Sequence, residues 1–178
     1  MGQIICDHLS KIWNPDSADA NLAIDEVSFT VHPGEFLVII GPSGCGKSTL
    51  LSMMAGLDMP TSGAMIHNGE PITGPSTDRS MIFQQASLFP WLSVLDNVAF
   101  GLDLQGISKQ ERTERAKQYL QQVGLLKSAT RYPHQLSGGM QQRACIARAL
   151  CLGTDVLLMD EPFAALDVQT RHQMQKFL

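Results

Sequence analysis

Apolar runs separated by polar turns dominate the first part of the chain, and they predict strands. Ile4 to Leu9 and Val27 to Val31 are predicted strands, and Ala64 to His67 with the Asn-Gly turn that follows predicts a hairpin. Two continuous apolar runs, Phe36 to Ile40 and Val156 to Met159, have the pattern of buried strands in an α/β sheet.

A helical pattern follows from about residue 93 to residue 152. Ser93 with Asp96, and Ser108 with Glu111, have the spacing of capping boxes, in which a hydroxyl and an acidic side chain satisfy the first free amides of a helix. We therefore predict a mostly helical segment inserted into an α/β chain.

A glycine-rich loop follows the first of the two continuous runs. It consists of Gly41, Pro42, Ser43, Gly44, Cys45, Gly46, Lys47, Ser48 and Thr49. The glycines allow the backbone to curl so that successive amides face the β- and γ-phosphates, and an apolar helix from Thr49 to Gly56 adds its dipole. Lys47 supplies a positive charge and Ser48 a hydroxyl for Mg²⁺. This pattern predicts binding of a nucleoside triphosphate, against the alternative of a plain glycine-rich turn.

Two carboxylates follow the second run. Asp160 and Glu161 stand at the predicted carboxyl end of the Val156 to Met159 strand, and Pro162 ends that strand. Ligands of α/β sheets gather at this edge, so Asp160 is predicted to hold Mg²⁺, usually through water, and Glu161 to polarise an attacking water. The alternative is a solvated turn.

The segment Leu136-Ser-Gly-Gly-Met140 opens a predicted helix with Ser137 as its N-cap. A capped helix with a loose entry is one interpretation. The other is a phosphate contact, because two glycines in the first turn weaken the helix and leave its amides bare. Here the chain resembles the ATP-binding cassette (ABC) ATPases, whose signature is Leu-Ser-Gly-Gly-Gln and whose motif order matches. The resemblance covers essentially the whole chain.

The resemblance implies the fold and its division. It implies an α/β P-loop NTPase core with N-terminal antiparallel β pieces near the adenine and a helical insert. Residues 1–178 would be a single ABC ATP-binding domain, with 1–92 and 153–178 as the nucleotide-binding core and 93–152 as the helical subdomain.

The resemblance also implies a dimer that acts on ATP and Mg²⁺. Two cassettes of this family pair head to tail, so Ser137, Gly138 and Gly139 would contact the γ-phosphate held by a second copy. Met140 replaces the usual glutamine of the signature. Since serine and glycine backbone groups make the phosphate contact in the family, binding is expected to be reduced or unchanged, not abolished.

Three further residues match family positions. Gln84 matches the glutamine that reaches Mg²⁺ and reports to the membrane partner. Trp13 matches the aromatic residue that stacks on adenine, although a lone Trp also serves as a core or surface anchor. Asp167, in Ala165-Leu-Asp167, would connect the two sites across the dimer.

Two segments resemble the nitrate, sulfonate and taurine group of bacterial importers: residues 74–79 and residues 89–101. The aromatic segment Leu88 to Leu92 is either a satellite core or the receiver of a helix from a transmembrane permease subunit. Arg79 belongs to the first segment, with a surface ion pair as the alternative interpretation.

Composition adds the expected setting. The chain is 44% hydrophobic with a net charge of −4, which argues against nucleic acid as the main partner. Four cysteines without a Cys-x-x-Cys pair indicate a reducing compartment, and no stretch approaches the ~20 apolar residues of a membrane helix. The resemblance to importers further implies a peripheral protein at the cytoplasmic face of the inner membrane, served indirectly by a substrate-binding protein.

The chain stops at Leu178, soon after Asp167, whereas the family continues into strands that include one carrying a histidine at the γ-phosphate. His172 does not match that histidine and is expected to be exposed on a helix. We therefore expect a fragment that lacks a central strand and is loosely packed. Beside the importer ATPase, two hypotheses stay open: an inactive fragment that binds ATP weakly or not at all, and a soluble ABC protein without a transport role.

Overall fold

The computed structural model describes residues 2–177. In chain order the elements are β1 (Ile4–Trp13), β2 (Asn21–Val31), α1 (Lys47–Ala55), β3 (Ser62–His67), β4 (Glu70–Pro71), β5 (Arg79–Ile82), α2 (Val94–Leu104), α3 (Lys109–Gln122), α4 (Gly138–Leu152), β6 (Val156–Met159) and α5 (Val168–Phe177). Two short 3₁₀ helices, Leu126–Ser128 and Pro133–Gln135, precede α4. The elements fall into two units, one up to Arg79 and one from Ser80 on.

An antiparallel sheet in the order β2-β1-β3-β4 organises the first unit. The long β1 pairs with β2, with Ile4 opposite Val31, and its other edge pairs with β3. Along β1 the buried side chains are Ile4, Cys6 and Leu9, and the alternation skips one position where the register with β2 shifts. The predicted N-terminal antiparallel strands are therefore present and longer than expected.

The predicted hairpin at Asn68-Gly69 is confirmed. β3 and β4 pair antiparallel, with His67 opposite Glu70 across the two-residue turn. Asn68 and Gly69 have φ values of 52° and 86°. These left-handed values are what the tight primed turn of a two-residue hairpin requires.

The strand predicted at Phe36 to Ile40 is absent. These residues have no strand hydrogen bonding, and the side chains of Phe36 and Ile40 are 78% and 87% exposed. Strands are stabilised by neighbours that complete their backbone hydrogen bonds, and no strand within residues 2–177 pairs with this run. The prediction was wrong because apolar side chains favour burial but do not provide the adjacent strand that a strand needs for its backbone hydrogen bonds.

The second unit is built on three packed helices. Apolar side chains of α2, α3 and α4 share one core, which includes Val94, Val98, Leu102, Leu120, Ala144, Ala147 and Cys151. Beside it, β5 and β6 form a two-stranded sheet, so the strand predicted at Val156 to Met159 is confirmed. Within the described residues, no helix combines the length and the apolar character needed to cross a membrane.

The serines of the two predicted capping boxes cap helices as expected. The Ser93 hydroxyl accepts a hydrogen bond from the backbone N–H of Asp96 at 3.1 Å, and the Ser108 hydroxyl accepts one from Glu111 at 3.3 Å. Each serine therefore satisfies one amide that the first turn of α2 or α3 leaves without an acceptor.

The Arg79 side chain is buried, so the predicted alternative of an ion pair is confirmed in the pairing itself and wrong in its surface location. Its side chain is 5% exposed, lies 3.2 Å from an Asp78 carboxylate oxygen and donates to the Gly74 carbonyl at 2.8 Å. Burial alone would raise the pKa of Asp78, but the Ser76 hydroxyl and the charges of Arg79 and His67 lower it below its usual value. The buried Arg79 side chain therefore stabilises the conformation of residues 74–79 through its contacts with Gly74 and Asp78.

The four cysteines are free thiols. Cys6, Cys145 and Cys151 are buried, whereas Cys45 is exposed. Burial raises the pKa of Cys6 to about 12 and that of Cys151 to about 11. Since the thiolate is the reactive form, the buried thiols are chemically inert and Cys45 is the accessible one.

Candidate nucleotide site

The last residues of the glycine-rich loop form the start of α1, whose N-terminus has no side-chain cap. Gly46 is the N-cap of α1, has a φ of 96° and provides no side-chain cap. A Cβ atom at this position would lie 2.4 Å from the Ala23 carbonyl oxygen, so both the backbone angle and the space require glycine. The first amides of α1 are thus left for an external acceptor, and the helix dipole favours an anionic one.

Lys47 is folded back onto this loop. Its ammonium group donates to the carbonyl oxygens of Gly41 and Pro42 at 3.0 and 2.7 Å. Ser48 and Thr49 follow it in the first turn of α1. An anion at the helix end would compete with these carbonyls for the ammonium group, which already lies at the loop.

Trp13 ends β1 and is 37% exposed. The Lys11 ammonium group lies 4.3 Å from the centre of its ring. A partly exposed indole ring has a flat face available for stacking, so the location agrees with either predicted role, adenine contact or surface anchor.

The carboxyl end of β6 carries Asp160 and Glu161. The Asp160 backbone N–H donates to the Ile82 carbonyl at 2.9 Å, which extends the pairing with β5 to this residue, and Asp160 is 8% exposed. Glu161 is exposed, and its Oε2 accepts a hydrogen bond from Gln84 Nε2 at 3.0 Å. Two residues predicted from motifs 77 positions apart therefore meet at one strand edge.

Glu161 has a strained backbone. Its φ of 45° lies in the left-handed region, which costs a residue with a Cβ about 1 to 2 kcal/mol. The strain directs the chain out of β6 into a turn in which the Ala164 N–H donates to the Glu161 carbonyl at 3.1 Å. Such strain is common where a side chain must be held in a functional position.

The predicted signature segment opens α4 as a capped helix. The Ser137 hydroxyl accepts from the Met140 N–H at 3.3 Å. An added Cβ at Gly138 would meet open space, whereas one at Gly139 would lie 3.5 Å from the Ala165 carbonyl oxygen. Gly138 is therefore accessible from outside, and Gly139 borders the loop that leads to Asp167.

Asp167 begins α5. Its carboxylate accepts from the Thr170 N–H at 3.0 Å, and this hydrogen bond is the main reason why the pKa of Asp167 is lowered. The local role of Asp167 is helix capping, which sequence reasoning had not assigned to it. His172 lies on the same helix and is exposed, as predicted.

A buried and a half-buried polar residue hold the aromatic segment and the residue before it, and sequence reasoning missed both. Asn97 of α2 is fully buried, accepts from the Phe89 N–H at 2.8 Å and donates to the Leu92 carbonyl at 3.1 Å. Arg148 of α4 donates to the Ser87 carbonyl at 2.9 Å. The sequence could have indicated Asn97, because this polar residue occupies a position of α2 at which the helical periodicity places apolar, buried side chains.

The aromatic segment presents one side chain outward. Phe89 is half-buried and stacks at a tilt on Phe100, with ring centres 4.6 Å apart. Trp91 is 71% exposed. The segment is thus partly a satellite of the helical core and partly an exposed surface, which combines features of both predicted roles.

Each unit holds part of the predicted set. The first unit holds Trp13 and the loop from Gly41 to Thr49. The second holds Gln84, Asp160 and Glu161 at one strand edge, with the signature glycines and Asp167 around the start of α4 and α5. Within residues 2–177, no group of three or more His, Cys, Asp or Glu side chains is arranged to hold a metal ion.

Comparison with known proteins establishes the class. The family model described as ABC transporter matches residues 24–164, so the chain belongs to the ABC transporter family. The solved structure of an ATP-binding cassette, dimeric and bound to ADP and Pi in a post-hydrolysis state, has a TM-score of 0.90 and 33% identity. That similarity covers 97% of this chain and 80% of the other. The resemblance and the predicted fold class are confirmed.

Curated relatives are similar over most of this chain. It is 53% identical over 172 residues to an uncharacterized ABC transporter ATP-binding protein of Methanocaldococcus jannaschii. It is 55% identical to the taurine import ATP-binding protein TauB of Chromobacterium violaceum and 52% identical to the nitrate import ATP-binding protein NrtD of Synechocystis. The matches cover 97%, 89% and 88% of this chain but 64%, 61% and 59% of those relatives.

Proposed function

We propose that the chain binds Mg-ATP at the loop from Gly41 to Thr49 and hydrolyses it as the energy subunit of an ABC importer. The uncapped N-terminus of α1 carries this proposal, because its free amides and dipole favour an anion and Lys47 lies folded onto the same loop. Pro42, Ser43, Gly44 and Cys45 complete the cradle, and Trp13 stacks on the adenine.

Hydrolysis requires a base, and Glu161 is the proposed one. Gln84 holds one of its carboxylate oxygens, so the other is left to orient the attacking water and accept its proton. Mg²⁺ neutralises phosphate charge when bound. Ser48, Gln84 and Asp160 would hold it, and this set of hydroxyl, amide and carboxylate oxygens fits a hard cation that keeps several waters.

The proposed active form contains two cassettes. Ser137, Gly138 and Gly139 of one copy would contact the phosphate held by the other, and Asp167 would link the two sites. The open space at Gly138 supports this role. In this arrangement residues 93–152 form the helical subdomain, and residues 1–92 and 153–178 the nucleotide-binding core.

The proposed partners are transmembrane permease subunits at the cytoplasmic face of the inner membrane. Exposed Trp91, on a segment fixed by Asn97 and Arg148, is the surface that a permease would contact. A small anion such as taurine, another sulfonate or nitrate is the proposed cargo, because similar proteins carry taurine or nitrate import in their names. A substrate-binding protein acts indirectly, and nucleic acid is not a partner.

Calorimetry with Lys47→Ala tests nucleotide binding. Losing a charge-assisted phosphate contact is expected to weaken Mg-ATP binding at least about tenfold. Lys127→Ala is the matched control, since it removes the same charge at an exposed position outside the site and is expected to bind normally. Equal affinity of Lys47→Ala and the unaltered chain would overturn the proposal.

Phosphate release with Glu161→Gln tests the chemistry. The amide has the same shape and can still accept from Gln84, so binding is expected to persist while turnover falls about 10²- to 10⁴-fold. Turnover at the unmutated rate would remove Glu161 from the role of base.

A further inference from the structure

The peptide group that joins Phe83 to Gln84 is held from the side by a buried residue of α4. Strand β5 ends at Ile82, whose carbonyl accepts from the Asp160 N–H at 2.9 Å. The next carbonyl, that of Phe83, accepts instead from Gln142 Nε2 at 3.1 Å. A side chain thus satisfies the first carbonyl beyond the strand pairing.

Glutamine at position 142 is energetically unfavourable for a core position. The residue is 1% exposed, and its Oε1 is buried without a hydrogen-bond partner. Leaving a buried acceptor unpaired costs about 1 to 3 kcal/mol, which offsets the gain from the single bond that the amide makes. An apolar side chain of the same length would avoid this cost. The bond to Phe83 is therefore the one contribution that distinguishes glutamine here.

The hydrogen bond from Gln142 to the Phe83 carbonyl fixes the orientation of the peptide plane between Phe83 and Gln84. The Phe83 carbonyl and the Gln84 N–H belong to one planar peptide group, so holding the oxygen also fixes the direction in which Gln84 leaves the strand. Gln84 is itself exposed, and its side chain is oriented by its hydrogen bond to Glu161 at 3.0 Å. Gln142 thereby acts on Glu161 through Gln84.

The same helix holds the segment at a second point. Arg148 donates to the carbonyl and the hydroxyl of Ser87, both at 2.9 Å. Six residues of helix separate the two anchors, which is about 9 Å along its axis. A movement of α4 is transmitted to both ends of residues 83–87, between which Gln84 lies.

We propose that Gln142 is a positioning residue of the hydrolytic site: it holds the Phe83–Gln84 peptide so that the Gln84 side chain contacts Glu161. Because Gln142 belongs to α4, the contact between Gln84 and Glu161 then changes when α4 moves. The functional meaning rests on the proposed ATPase role of Glu161 and Gln84. The positional claim is independent of nucleotide.

Side-chain amide signals in the nucleotide-free chain test the positional claim. The Gln84 amide signal in a ¹H–¹⁵N spectrum is assigned by its loss in Gln84→Ala, and Glu161→Ala gives its position without the carboxylate. In Gln142→Met the signal is expected to move at least half of the way toward that position. Gln121→Met makes the same change on the exposed side of α3 and is expected to leave the signal in place.

Stability separates positioning from packing. Methionine removes the hydrogen bond together with the unpaired Oε1, so the thermal midpoint is expected to stay within about 3 °C. If Gln142→Met does not fold, Gln142→Leu takes its place, because leucine is close to glutamine in volume and has no proton to donate. An unmoved Gln84 signal in a folded variant, or failure of both variants to fold, would overturn the inference.

Calorimetry on the same samples separates this inference from the proposed function. Gln142→Met is expected to bind Mg-ATP with unchanged affinity. Absence of binding in both the variant and the unaltered chain would contradict the proposed function, while the Gln84 signal would still decide the role of Gln142.

Discussion

Two apolar runs of this chain, each followed by residues that can act on a phosphate, adopt different conformations. Val156–Met159 is a strand paired beside β5, and its Leu158 is 5% exposed. Residues 36–40 have no strand pairing within the described residues, and Val38 is 62% exposed. The unpaired run is the richer of the two in residues with high β-propensity, since Phe, Val and Ile make up four of its five positions and Val156 is the one such residue of the paired run. The difference teaches that a neighbour with free backbone groups, and not the run itself, decides whether a strand forms.

The contrast has a consequence for the loops that follow. Asp160 is fixed by a backbone hydrogen bond to Ile82 because the strand before it is paired. The phosphate loop has no such support on its N-terminal side and is anchored through α1, where Gly46 begins the helix and Lys47 bonds back to Gly41 and Pro42. Asp160 and Glu161 are thus positioned by a sheet, and the glycine-rich loop by a helix.

The largest expected effect comes from truncating one side chain in each run. Leu158→Ala is expected to cost about 2 to 5 kcal/mol of unfolding free energy, because a buried leucine leaves a cavity. Val38→Ala, its control in the exposed run, is expected to stay within about 0.5 kcal/mol. Urea unfolding followed by circular dichroism measures both. Equal costs would break the contrast.

Amide exchange should differ almost as strongly. The amides of residues 157–159 are expected to exchange at least about a hundredfold more slowly than those of residues 37–40, since exchange follows local opening and the second run has no pairing to open. Hydrogen–deuterium exchange with mass spectrometry resolves the two segments. Comparable protection would mean that residues 36–40 are paired after all.

The smallest effect concerns the strained end of the paired strand. Glycine tolerates the φ of 45° at Glu161 and alanine does not, so Glu161→Gly is expected to be more stable than Glu161→Ala by about 1 kcal/mol. Thermal unfolding of the two variants gives the difference. Alanine that is as stable as glycine would show that the left-handed conformation is not imposed by the surroundings.

Sequence reasoning was most successful where the signal was local. Ser93 and Ser108 cap helices because a hydroxyl and an amide three residues apart need nothing from the rest of the chain. The Asn68-Gly69 hairpin formed for the same reason. Phe36 to Ile40 failed because strand pairing depends on a distant segment.

The site was partly predictable. The motifs indicated Gln84 and Glu161 separately, and their contact required the fold. Asn97, Gln142 and Arg148 were not predicted, since the backbone groups that their side chains bind lie elsewhere in the chain and are placed beside them only by the fold. Nothing in the sequence indicated the left-handed backbone conformation of Glu161, because glutamate rarely adopts it.

The central claim, that the helix-anchored loop from Gly41 to Thr49 binds nucleotide, is tested most directly by amide exchange of that loop with and without Mg-ATP. We expect saturating Mg-ATP to slow exchange of its amides at least about tenfold, because they then donate to phosphate oxygens, and we expect no slowing in Lys47→Ala. Exchange in this loop that stays the same at millimolar Mg-ATP would contradict the account.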